Sequence, residues 1–164
     1  MRHVTFDNAT IKDVSYVMAW LKPKDLEETL CQLQPDADMQ RLGYALLMSG
    51  DTYVARYRGN PVMVFGTQVM SASTLQVWAL GTKETWRVAS AVIDYFKTRL
   101  VPHYAAQGYY ALEARSLATH DEAHRWMRAS GADTHGPAYE FGRDREMFLT
   151  FRWQNPPTAR KSAG

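Results

Sequence analysis

Apolar and polar positions along the chain change period several times, and each change marks an element. The opening "HVTFDNAT" alternates and then offers Asp7, Asn8 and Thr10 as helix caps, which predicts a short strand leading into a helix over about 10–20. Pro23 permits a fresh helical start, and "PKDLEETLCQL" sets Leu26, Leu30 and Leu33 on one face of the next helix. "DADMQRLGYALLMSG" supplies a third helix that stops near Gly50. The front of the chain is therefore expected to be mainly helical.

From residue 52 the period falls to two. "TYVARYRGNPVMVFGTQVM" reads as strands over 52–57 and 61–69, broken from Arg58 to Pro61 by a turn of hairpin composition, and "TLQVWAL" predicts a strand over 74–80. Trp86, Ala89, Ile93, Phe96 and Leu100 then recur at three and four residues, so a helix over 84–100 is expected to lay that face on the sheet and to end by Pro102. A strand over 109–115 follows. "THDEAHRWMRASG" reads as a helix with Thr119 as its cap, Glu122 in the capping-box position and Gly131 at its end. "PAYEFG" and "EMFLTFRW" form a last strand pair, with Met147, Leu149, Phe151 and Trp153 alternating onto one face.

This order, one strand, several helices, three strands, helix, strand, helix and two strands, predicts an α+β fold: a mainly antiparallel central sheet flanked by helices, in one domain over 1–153. The tail over 154–164, "QNPPTARKSAG", carries Arg160 and Lys161 and no acid, and reads as a mobile basic arm or a segment that docks on a partner.

Composition narrows the classes. With 46% apolar residues in 164, the chain can bury a continuous core. A formal charge of +2 supplies no basic face for nucleic acid, and the mixed charges are expected to solvate the surface; protein partners are expected through the helical front half and the basic tail. Neither a signal peptide at "MRHVTFDNAT" nor a run of eighteen apolar residues is present, so neither secretion nor membrane insertion is expected. The one cysteine, Cys31, reads as a small buried hydrophobe in a reducing compartment.

Candidate chemistry is sparse. His120 and His124 stand at i, i+4, a metal-ligand spacing, but His103 and His135 lie elsewhere and no third ligand of suitable type is near, so a solvated helix face is expected rather than a metal site. Glu113, on the strand over 109–115, and Glu84, at a helix start, are the general-base candidates. Competing readings give Glu84 to the helix dipole and Glu113 to a surface pair with Arg115. Trp126 and Met127, set among Arg125, Arg128 and His124, read as core rather than as a base-stacking site.

"VWALGTKETWRVASAV" runs from strand through a short turn into a helix, and "HDEAHRWMRASGA" follows the next strand. Together with the element order, which spans nearly the whole chain, this resembles the GNAT acetyltransferase superfamily. The resemblance implies that the strands over 74–80 and 109–115 run parallel and splay apart. It also implies that the turn between strand and helix holds the pyrophosphate of acetyl-CoA on backbone N–H groups, which glycine lets approach closely. On that reading Leu80, Gly81, Thr82, Thr85, Trp86, Arg87 and His120 border the cofactor.

Ala123 and Gly131 fall in register with the family's pattern, whereas His120 replaces an Asn, Met127 replaces the Tyr that protonates the leaving thiolate, and Ala132 replaces an aromatic. A thioether donates no proton. In the turn, Lys83, Glu84, Thr85 and Trp86 replace small residues. The combination also resembles GNAT-like internal virion and head-morphogenesis proteins of short-tailed bacteriophages, which implies a role in the particle or its assembly, in host cytoplasm or virion, with no cofactor required. An active N-acetyltransferase using acetyl-CoA through an atypical loop, and a non-catalytic small-ligand module, stand as the alternatives. A turn plugged by Trp86 or Glu84 would mark a vestigial site, and an open one a working site.

Overall fold

The computed structural model describes residues 3–154. β1 (Val4–Asn8) leads to three helices, α1 (Ile11–Ala19), α2 (Pro23–Leu30) and α3 (Met39–Met48). Three strands follow, β2 (Thr52–Tyr57), β3 (Asn60–Val69) and β4 (Thr74–Gly81). A short 3-10 turn (Thr85–Arg87), α4 (Ala89–Tyr95), a π turn (Phe96–Leu100) and α5 (Val101–Ala106) lead on to β5 (Ala111–Leu117) and α6 (Asp121–Ala129). β6 (Asp133–Thr134), β7 (Tyr139–Glu140) and β8 (Met147–Gln154) complete the described chain. The tail expected beyond Gln154 lies outside the described residues.

The strands form one sheet in the order β1-β2-β3-β4-β5-β8-β6, with β7 also on β8. Every pairing is antiparallel except β4 with β5. That parallel pair is short, Thr74↔Ala111, Leu75↔Leu112 and Gln76↔Glu113, yet β4 continues to Gly81 and β5 to Leu117. Beyond Gln76 and Glu113 the two strands splay. The expected α+β architecture, with its parallel, diverging pair, is the one found.

Each face of the sheet is covered. Val54, Val64 and Leu80 pack on one side against Val14, Val17 and Met18 of α1. Phe65, Val77, Leu112 and Phe151 pack on the other against Val92, Phe96, Leu100 and Met127. Helix α1 starts where the sequence indicates, at a capping box in which Asp13 N–H donates to Thr10 Oγ1 at 3.3 Å and Thr10 N–H donates to Asp13 Oδ2 at 2.9 Å. Among the described residues no helix is long and apolar enough to cross a membrane.

Three local expectations are corrected. The long helix does not end by Pro102 and does not bury Trp86, which is 67% exposed; its inner stripe is Val88, Val92, Phe96, Leu100 and Tyr104. Steps of four overshoot an α-turn by about 0.4 residue each, and the wider π turn takes up the excess. It also opens the helix just where Pro102, lacking an N–H, would clash with the preceding turn.

Helix α6 is capped by His120 rather than Thr119, with Ala123 N–H donating to His120 Nδ1 at 3.4 Å. It stops at Gly131, φ +107°, a left-handed position suited to glycine. On β8 it is Phe148, Phe151 and Trp153 that are buried, while Met147 is exposed.

Candidate functional site

The open end of the splay is spanned by α2. This helix turns its polar side inward: Asp25 and Thr29 are buried, whereas Leu30, on the predicted leucine face, is 40% exposed. The inward side is polar because the cleft presents main-chain groups. Pairing across β4 and β5 has ended, so strand-end amides need other acceptors.

Asp25 and Glu28 supply them, one at each lip. Gly81 N–H, at the end of β4, donates to Asp25 Oδ2 at 2.7 Å. Leu117 N–H, at the end of β5, donates to Glu28 Oε1 at 2.5 Å, and Ser116 Oγ donates to the same oxygen at 2.8 Å. Lys22 N–H donates to Gly81 O at 3.0 Å, and a bridge joins Leu21 to Thr82.

The other oxygen of Asp25 meets His120, Oδ1 to Nε2 at 2.7 Å, with both side chains nearly inaccessible. His120 presents its Nε2 proton to Asp25, while its Nδ1 faces the Ala123 N–H at 3.4 Å. Lys22 Nζ lies 3.0 Å from Glu122 Oε1 and 3.7 Å from Asp25 Oδ1, and Lys24 Nζ donates to Thr119 Oγ1 at 2.9 Å. Burial pushes the Glu28 carboxyl above its ordinary pKa, in spite of the lowering pull of His120 and of the bonds from Leu117 and Ser116.

Under α2 the splay encloses a cavity of about 280 Å³, bordered among others by Glu28, Leu46, Met63, Trp78, Arg115 and Trp126. Trp78 brings to it an indole whose Nε1 is buried without a hydrogen-bond partner. Strand alternation puts the main-chain groups of Ala79 on the same edge of β4 as those of Gly81, facing the splay.

The turn after β4 is tightly self-bonded. Glu84 N–H donates to Thr82 Oγ1 at 3.3 Å, Thr85 N–H to Thr82 O at 3.0 Å, Arg87 N–H to Glu84 O at 2.9 Å and Val88 N–H to Thr85 O at 3.0 Å. Thr82 N–H reaches back to Val62 O at 3.0 Å. Gly81 is required by packing: a Cβ there would overlap Thr85 Oγ1, which itself donates to Thr82 O at 2.6 Å.

The turn over 81–88 therefore offers few open main-chain donors to a pyrophosphate. Its amides are largely engaged, Val88 is a buried branched residue, and the Gly81 N–H faces a carboxylate. Neither Trp86 nor Glu84 plugs the turn. Trp86 projects outward under the Arg87 guanidinium, 4.3 Å from its ring centroid, and Glu84 Oε2 accepts from Arg87 Nε at 2.6 Å. What fills the cleft end is Asp25.

The sequence-indicated residues thus divide. Leu80 packs into the core on the α1 side, Gly81 and His120 meet at Asp25, and Thr82 and Thr85 build the turn. Trp86, Arg87 and Glu84 lie on the outer surface. Glu113 stands at the closed end of the splay and pairs with Arg152 at 2.9 Å rather than with Arg115.

His120 and His124 are both buried, not solvated; His124 Nε2 bonds Leu117 O at 3.0 Å and its ring packs on Phe151. Among the described residues no group of three or more metal-ligating side chains comes together. Asp25 and Glu28 are hidden in the sequence because the leucine spacing of "PKDLEETLCQL" is a stronger signal than two acids at i and i+3 on another face.

No protein-family model and no curated protein matches the sequence. Solved structures do match in shape. A ribosomal-protein-alanine N-acetyltransferase of Brucella melitensis superposes with a TM-score of 0.70 at 11% identity, covering 92% of this chain and 99% of that one. YncA, a putative acetyltransferase of Salmonella typhimurium solved with its cofactor acetyl-CoA, gives 0.71 at 12% identity over 94% and 95%. An acetyltransferase of the GNAT family from Streptococcus pneumoniae gives 0.66 at 12% over 93% and 99%. Likeness at these identities is likeness of fold: the chain has the GNAT acetyltransferase fold, from its first strand to its last.

Proposed function

We propose that this protein uses the GNAT fold as a scaffold for protein contact and does not carry acetyl-CoA through a transfer step. One observation supports the reading above others: the Asp25 carboxylate takes the Gly81 N–H at the start of the turn to which the sequence resemblance assigns the cofactor's pyrophosphate. Met127 in place of a tyrosine removes the proton donor as well. The sequence resemblance to phage internal virion proteins adds the setting, a bacteriophage particle or its assembly in host cytoplasm, with the helical front half and the basic tail making contacts.

Calorimetric titration with acetyl-CoA, joined to a thiol-release assay over a set of primary amines, tests the reading. No heat of binding and no thiol release are expected. Saturable binding with amine-dependent release overturns it.

The second reading is an acetyl-CoA-dependent N-acetyltransferase, and the cavity of about 280 Å³ in the splay favours it. An extended, amide-bearing chain would match the free edge of β4 at Ala79, and Trp78 Nε1 would gain an acceptor. In that case Glu28, which borders the cavity with its pKa raised by burial, is a better placed base than Glu113 or Glu84. Loss of thiol release in Glu28→Gln with retention in Glu113→Gln would establish it.

A further inference from the structure

Away from the cleft, the β2–β3 hairpin and the turn after β4 flank a surface groove of about 330 Å³ bordered by Tyr16, Tyr57, Arg58, Glu84 and Arg87. Arg58 holds φ at +49° and Gly59 at +83°. An arginine thus occupies a left-handed hairpin position that Asn, Asp or Gly takes at lower cost. Its guanidinium lies 5.3 Å from the Tyr57 ring centroid, and that of Arg87 lies 5.0 Å from the same ring.

An exposed tryptophan, Trp86, adjoins the bordering Arg87. Trp86 is joined by Trp20, 63% exposed, next to the Leu21–Thr82 bridge and one helical turn beyond the exposed Tyr16 on α1. Exposed Trp, Tyr and Arg gathered around one groove is the composition of a binding hot spot.

Charge selects the occupant. Glu84, the groove's acid, is already bonded to Arg87, while Lys12, Arg58 and Lys83 have no carboxylate of the described residues within ion-pair distance. The chain's own C-terminal segment, with Arg160 and Lys161 and no acid, carries no counter-charge for the groove. Bases of a single strand stack on ring faces, but Tyr57, which borders the groove, already carries two guanidinium groups.

We infer that this groove docks an acidic segment of a partner protein, its carboxylates meeting Arg58 and Lys83 and an apolar side chain lying against Trp86. The inference rests on the contact role proposed above and names the surface that performs it.

The test is selection of a random-peptide display library on the full-length protein, followed by fluorescence anisotropy of the best peptide with wild type, Arg58→Gly and Trp86→Ala. Arg58→Gly relieves the left-handed backbone, so thermal stability is expected to hold or rise and the variant reads binding alone. Enriched peptides rich in Asp and Glu, weakened tenfold or more by each substitution and by raising the salt, are the expected result.

No enrichment, enrichment of basic or neutral peptides, or an acidic peptide indifferent to Arg58→Gly overturns the proposal. So does oligothymidylate binding that Trp86→Ala abolishes, or a concentration-dependent dimer that Arg58→Gly dissolves. Acetyl-CoA turnover together with acidic-peptide binding at the groove would sink the contact-only function and leave this surface standing.

Discussion

Asp25 and Gly81 are 56 residues apart in sequence, yet the carboxylate of one accepts the main-chain N–H of the other at 2.7 Å, at the point where β4 has lost its neighbour β5. A side chain here does the work of a missing strand. Removing it strands two groups at once, the Gly81 amide and the Nε2 proton of His120.

Asp25→Ala is accordingly expected to cost about 2–4 kcal/mol, the penalty of leaving buried hydrogen-bonding groups without partners. Asp25→Asn recovers only part of this. Its carbonyl can keep the Gly81 bond, but its NH2 then faces the His120 N–H. Urea denaturation of the three proteins side by side checks the order wild type, Asn, Ala.

Glu28→Gln should behave in the opposite way. Burial raises the Glu28 pKa in the fold, so the folded protein holds this proton more tightly than the unfolded chain. Its favourable contribution is full below the unfolded value and is lost as pH rises through the folded one. Glutamine keeps a carbonyl for Leu117 N–H and Ser116 Oγ and has no proton to lose. The variant should match wild type at acid pH and exceed it in thermal stability at pH 8; equal pH profiles would count against a buried ionisation.

Asp13 gives the opposite pH sign. Burial pushes its pKa up, but bonds from Thr10 N–H and Arg56 outweigh that and hold it below the ordinary carboxylate value. Its stabilisation is present above the unfolded value and disappears as pH falls through the folded one. Asp13→Ala, which removes the acid half of the α1 capping box and leaves Arg56 facing only Asp7, is expected to cost about 2–3 kcal/mol near neutrality. The gap between variant and wild type should close as the pH is taken below 4.

Gly81→Ala tests whether this glycine serves packing. The new methyl overlaps Thr85 Oγ1, so a loss of about 1–3 kcal/mol is expected. Thr85→Ala deletes that oxygen, and in its background the Gly81→Ala penalty should shrink by at least half. A full penalty in the double variant would place the clash elsewhere.

Much of the fold was legible because it rests on short-range pattern. The alternation from Tyr53 to Val69 with a turn at Arg58 and Gly59 gives β2 and β3, and Thr10 with Asp13 marks the start of α1. The site was not legible, for three physical reasons. Helix α2 reads as amphipathic with leucines inside, but its neighbours are unpaired amides, so acids face inward. Two histidines at i, i+4 read as solvated or metal-binding, yet their partners are an aspartate 95 residues away and a strand carbonyl. Pro102 reads as a helix stop until a π turn is allowed ahead of it. Each depends on a partner distant in sequence or on a backbone variant that periodicity does not encode.

The brevity of the β4–β5 seam has a mechanical consequence. Three residue pairs join one half-sheet, β1 to β4, to the other, β5 to β8, and α2 is a clasp fastened across the gap with one acid on each side. The angle between the halves is set by the clasp as much as by the seam. Amide hydrogens of Gly81 and Leu117 therefore report a local event: they should exchange when the clasp lets go, earlier than those of Phe65 and Val77 in the central strands, and faster still once Asp25 is removed.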